Sequence, residues 1–105
     1  MKKYKYIKEG DANLSPFDTD VSKELTDDET IEGYLNYILE QGDEADLKRA
    51  LGHIAKAKGM TTVAKEVGTT REGLYKSFDG QTKVQLDTFM KLIKSFGLTI
   101  RFAKA

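Results

Sequence analysis

The sequence predicts a mainly α fold, a bundle of about five helices that carries a helix-turn-helix and ends in short β-strands. Three observations lead there. Apolar residues recur at i, i+3, i+4 and i+7 in successive stretches from Ile31 to Phe96, the period of helices with one buried face. Met60–Phe78 splits into two short amphipathic patterns at Gly68-Thr69-Thr70. Glycine reaches positive φ without steric cost, so this break suits a sharp corner between two helices. Residues 3–7 and 98–102 alternate polar and apolar side chains, the period of a strand.

The chain has 105 residues, enough for one modest core. It contains no cysteine, which excludes disulfides and thiolate chemistry and fits the reducing cytoplasm. No apolar run approaches the roughly 20 residues of a membrane span. The opening MKKYKYIKEGD lacks the apolar core of a signal peptide. A cytoplasmic protein with no membrane partner is therefore expected. Net charge is zero, but the average hides a division. Residues 1–46 hold 5 Lys and 13 Asp or Glu, a net of −8, whereas residues 47–105 hold 12 Lys or Arg and 4 Asp or Glu, a net of +8. Such polarity suits two partners of opposite sign, or one half neutralising the other within the molecule.

In chain order, Lys3–Ile7 reads as a strand, and Ser15-Pro16-Phe17-Asp18 as a turn. Asp18–Leu25 offers one or two helical turns with Phe17, Val21 and Leu25 in register, too short to stand without docking. Thr26 with Glu29 has the form of a capping box. The helix behind it carries Ile31, Tyr34, Leu35, Ile38 and Leu39, and stops at Gly42. Asp43 is expected to cap the next helix, whose stripe is Leu47, Ala50, Leu51, Ile54 and Ala55 and whose end is Gly59. After Met60–Phe78 and a polar loop, Leu86, Phe89, Met90, Ile93 and Phe96 form the face of the last helix. A strand over Leu98–Phe102 follows, able to pair with residues 3–7 within one chain or across a dimer. The chain divides into an N-terminal strand and acidic segment, 1–25, and a helix-turn-helix domain with its C-terminal strand, 26–105.

A helix-turn-helix offers its second helix to the DNA major groove, where base edges present distinct donors and acceptors. With Leu74 and Phe78 turned inward, the outward face carries Arg71, Glu72, Tyr75 and Lys76. Arg71 suits a bidentate contact to guanine, and Glu72 either accepts from cytosine or orients Arg71. Tyr75 and Lys76 suit phosphate or sugar contacts, which set register. Thr70 caps this helix, while Gly73 weakens it by about 0.5–1 kcal/mol relative to alanine. Thr61 and Thr62 open the preceding helix, whose N-terminus favours a phosphate. Lys83 and Gln81 lie within reach of the next phosphate. Taken singly these are ordinary surface residues; together with Gly68, Ala64 and Leu74 in register they favour DNA.

Catalysis is not expected. One histidine and no cysteine leave neither a nucleophilic triad with an imidazole base nor a usual zinc set. His53 borders an apolar stripe and suits a structural or surface role. Asp27, Asp28 and Glu29 are accounted for by capping and the helix dipole. Neither metal nor cofactor is implied. The segment Glu9–Glu32 holds nine acids and one lysine around Phe17, Val21 and Leu25. With Asp18 and Asp28 as charged rim, it suits a grip on a basic partner. Packing of those anchors on the chain's own helices is an equal alternative.

The run LKRALGHIAKAKGMTTVAKEVGTTREGLYKSF, followed by FMKLIKSFGL and preceded by SPFD and IEGYLNYILEQGD, resembles the addiction-module antidote proteins of bacteria. These are helix-turn-helix antitoxins related to the Xre and HigA types. The resemblance spans roughly Ser15–Phe102. It implies a lambda-repressor-like (Xre-type) bundle and a toxin–antitoxin pair. The partner would be a small basic toxin similar to the RelE/ParE superfamily, and a homodimer would repress the shared operon through operator DNA. Ser77 stands where many such modules keep an apolar residue. Two other readings remain open: an Xre-type repressor without a toxin, and an interaction module that no longer binds DNA.

Overall fold

A computed structural model describes residues 22–79 and 83–105. The strand expected over residues 3–7, the turn at 15–18, the contacts of Phe17, Asp18 and Val21, and Gln81 lie outside the described residues. Within them the chain is helical: a 3₁₀ turn Ser22–Glu24, then α1 Asp28–Gln41, α2 Glu44–Lys58, α3 Met60–Val67, α4 Arg71–Ser77 and α5 Leu86–Ser95.

Helix α1 starts one residue later than the expected capping box. Asp27, not Thr26, is the cap, and its carboxylate accepts the Thr30 N–H at 2.7 Å. An anion is the better acceptor at the positive end of a helix. Ile31, Tyr34, Leu35 and Ile38 are buried as expected, but Leu39 is 60% exposed. Because α1 packs mainly on α2, only one side of its stripe is covered. The buried Tyr34 hydroxyl shares a 3.0 Å hydrogen bond with His53 Nδ1, so His53 joins α2 to α1.

The α1–α2 corner depends on Gly42 for space, since its φ of −104° is open to any residue. A Cβ there would lie 2.9 Å from the Asp46 Cβ and 3.0 Å from the Ile38 carbonyl oxygen. Asp43 caps α2 as expected and forms a reciprocal box with Asp46, both bonds at 2.9 Å. The backbone N–H of Asp46, a charge-assisted donor, holds the Asp43 carboxyl below the usual carboxylate range.

Helix α3 lies at the centre, against α2, α4 and α5. Its Val63, Ala64 and Val67 are buried with Ala50, Leu51, Ile54 and Ala55 of α2, Leu74 of α4 and Leu92, Ile93 and Phe96 of α5. The 3₁₀ turn rests on α2, and Leu25 joins this core. Its side chain therefore packs on the chain's own helices, not on an open face.

Helix α5 departs from the expected face. Leu86 and Met90 are 75% and 52% exposed, and Leu92, absent from the expected stripe, is fully buried. Two apolar rows run along this helix, and the Phe89–Leu92–Ile93–Phe96 row meets the core. After Gly97, at φ 78°, the Leu98 N–H returns to the Ile93 carbonyl at 3.1 Å and Leu98 packs against the core. Among the described residues no strand is formed over Leu98–Phe102, and the residues 3–7 expected to pair with it lie outside them. No neighbouring strand among the described residues offers the ladder hydrogen bonds a strand needs. Among the described residues no helix is long and apolar enough to cross a membrane.

Two outcomes follow from these corners. Gly68 has φ 85° and nothing within 4 Å of an added Cβ, so its substitution meets only backbone strain. Gly68→Ala should cost about 1–2 kcal/mol in urea unfolding, and Gly68→Asn less, because asparagine tolerates the left-handed region. The lowered pKa of Asp43 gives stability that is complete above its unfolded-state pKa and lost as pH falls through its folded-state value. The gap in thermal midpoint between wild type and Asp43→Ala should be widest near neutrality and narrow in acid.

Candidate nucleic-acid interface

Helix α3 ends because Gly68 adopts the left-handed conformation. The Ala64 carbonyl then accepts the N–H groups of both Gly68 and Thr69, each at 2.9 Å, which closes the helix and turns the chain. Thr70 is extended and its hydroxyl accepts the Gly73 N–H at 3.0 Å, so α4 begins where the sequence places its cap. From this start, Leu74 points into the core with 0% exposure. Arg71, Glu72, Tyr75 and Lys76 are all exposed. Phe78 is partly buried against the core; its ring lies 3.4 Å from where a Cβ on Gly52 would sit.

The outward residues are not independent. The Arg71 guanidinium stands over the Tyr75 ring, 5.7 Å from its centroid, within range of a cation–π attraction. The Tyr75 side chain beside it, more than the nearby Glu72 charge, raises the Arg71 pKa further. The sequence offers Glu72 either as a cytosine acceptor or as the group that orients Arg71; the structure places the Tyr75 ring against the guanidinium. The i, i+4 spacing of Arg71 and Tyr75 was the available signal.

Gly73 also has a different role from the one its helix propensity suggests. A Cβ there would lie 2.5 Å from the Thr69 hydroxyl and 3.1 Å from that of Thr70. Glycine lets both threonines close over the start of α4. Ser77, at a position expected to be apolar, is half-buried and donates to the Gly73 carbonyl at 3.1 Å, which satisfies its hydroxyl within the helix.

Thr61 and Thr62 are exposed in the first turn of α3. Gly59 precedes them at φ 103° with no side chain to cap the helix. The two threonines and Arg71 thus stand at the starts of two successive helices that pack on each other. Lys83 is exposed at the near end of α5. Lys65, also exposed on α3, adds a further cation that no motif in the sequence marks. Asp28, assigned above to a partner grip, pairs with Lys58 at 3.3 Å.

Comparison with known proteins adds a decisive observation. The family described as probable addiction module antidote protein matches residues 13–104. The chain belongs to this family. It is also similar to an uncharacterized protein of Haemophilus influenzae, 41% identical over 81 residues, covering 77% of this chain and 84% of the relative. No solved structure matches. The match begins before the described residues and runs through α5, so it takes in residues 13–46 of the acidic half and nearly all of the basic half.

The crowding at Gly73 is open to a direct check. Gly73→Ala should fail to return the usual gain of about 0.5–1 kcal/mol while Thr69 is present. The gain should appear in the Thr69→Ala background, read as a coupling in a double-mutant unfolding cycle.

Proposed function

We propose that this antidote-family member is the antitoxin of a type II toxin–antitoxin module. In this reading it neutralises a small basic toxin of RelE/ParE type and binds operator DNA as a homodimer to repress its own operon. It acts by binding, without catalysis, in the cytoplasm. Membership of an antidote family supports the toxin partner. The −8 balance of residues 1–46 supports an acidic surface that a basic toxin would neutralise.

The observation that carries the DNA reading is the partition of α4, with Leu74 buried and Arg71, Glu72, Tyr75 and Lys76 exposed on the basic half. The α3–α4 pair is read as an Xre-type helix-turn-helix with α4 in the major groove. Arg71, held against Tyr75, reads a guanine edge. Thr61, Thr62, Thr70, Lys76 and Lys83 contact phosphates and set register. Glu72 sits beside them as a cytosine acceptor. One α4 reads few base pairs, so two copies on half-sites about 34–36 Å apart are needed for specificity.

Gel shifts with DNA from upstream of the operon test this. Arg71→Ala should cost about 1–3 kcal/mol on the specific site and relax base preference. An equal loss on random DNA contradicts its reading role. Lys76→Ala should weaken all DNA alike and reduce the salt slope by about one unit; an unchanged slope removes it from the contact set. Co-purification of the chain with the neighbouring gene product tests the toxin.

A further inference from the structure

Helix α5 has a second face. While Phe89, Leu92, Ile93 and Phe96 turn toward the core, Leu86 and Met90 stand in solvent. Beside them an open apolar groove runs between Met90 and Ile93 on the helix and Leu98 and Ile100 on the segment after it. Large apolar side chains next to an apolar groove mark a contact surface. The charges around it say what fits. Along the exposed edge, Asp87 lies at the start of α5 and Lys91 and Lys94 toward its end. Laid antiparallel on a second α5 with the crossing between Met90 and Lys91, Asp87 meets Lys94 of the other copy, twice by symmetry.

We propose that this face is the homodimer interface, with a second copy of the chain as its occupant, the two α5 helices antiparallel about a two-fold axis between Met90 and Lys91. The same register places Met90 beside the axis. It also carries Leu86, one turn earlier, to the far end of the partner helix, where the groove between Ile93, Leu98 and Ile100 opens. Each copy supplies both the protruding residue and the groove, as an isologous contact requires. A purely acidic partner would leave Asp87 opposed, and a purely basic one would meet Lys91 and Lys94. The mixed rim is matched by its own antiparallel copy. The proposal rests on the homodimer reading above and gives it a location. It does not depend on DNA binding.

The test is sedimentation equilibrium on the full chain, with circular dichroism to confirm that each variant stays helical. Met90→Lys, at an exposed position, should leave helicity unchanged and raise the dimer Kd by about a hundredfold or more, because the register sets each new ammonium beside Lys91 of the other copy. Asp87→Lys and Lys94→Asp should each raise it by about tenfold, and the double reversal should restore it. A wild-type chain that stays monomeric at micromolar concentration overturns both this interface and the homodimer reading. A dimer indifferent to Met90→Lys and to the charge reversals overturns the interface alone. A dimer that responds as expected but gives no gel shift leaves the interface standing and overturns the DNA reading.

Discussion

The presenting surface of this protein depends on one backbone corner. At Gly68 the chain must turn sharply while keeping its amides bonded, and the Ala64 carbonyl does this by accepting the N–H groups of Gly68 and Thr69 together. That arrangement requires positive φ at residue 68, which glycine adopts freely. It also requires a small residue at position 64, where α3 is enclosed by its neighbours. Once the corner is set, the start of α4 is determined, with Thr70 as cap. Leu74 then enters the core, which leaves Arg71, Glu72, Tyr75 and Lys76 no other place than the surface. Burial of one side chain thereby orients four.

The remaining helices serve that corner at increasing distance. Helices α2 and α5 enclose α3, and α1 covers α2 in turn. Charge follows the same order. Helix α1 contains four acids and no Lys or Arg, whereas the cations of the second half gather from α2 onward. The Asp28–Lys58 pair sits where the two meet. Exposed charges act over about 10 Å at ordinary ionic strength, so acids and cations neutralise one another only where they lie close, as at Asp28 and Lys58. A net charge of zero therefore hides opposite balances in the two halves of the sequence.

Much of the fold is legible in the sequence. Helix stops at Gly42, Gly59, Gly68 and Gly97, caps at Asp43 and Thr70, and the inward face of α2 all follow from local chemistry. Errors arose where two local solutions were nearly equal. Thr26 and Asp27 both make good caps, and the anion prevailed. Helix α5 has apolar residues on two rows, and periodicity alone does not say which one meets the core. The alternation in Leu98–Phe102 is a correct strand pattern without a strand to pair with among the described residues. Gly73 looked like a weakness because propensity scales know nothing of the Thr69 hydroxyl beside it.

By itself the sequence determined where most of the helices begin and end, the charge division between the halves and the residue types on the outer face of α4. These are set by neighbours within a few positions, through capping, glycine conformations and periodicity. Only the tertiary structure decided that Leu25 belongs to the core, that Leu86 and Met90 face outward, that His53 meets Tyr34, and that glycine at 42 and 73 answers crowding. Each of those depends on which element lies opposite, and local spacing carries no record of that. Arg71 lies between the two cases. Its place at the start of α4 was written in Gly68 and Thr70, while its hold on Tyr75 was decided by side-chain geometry in the folded helix.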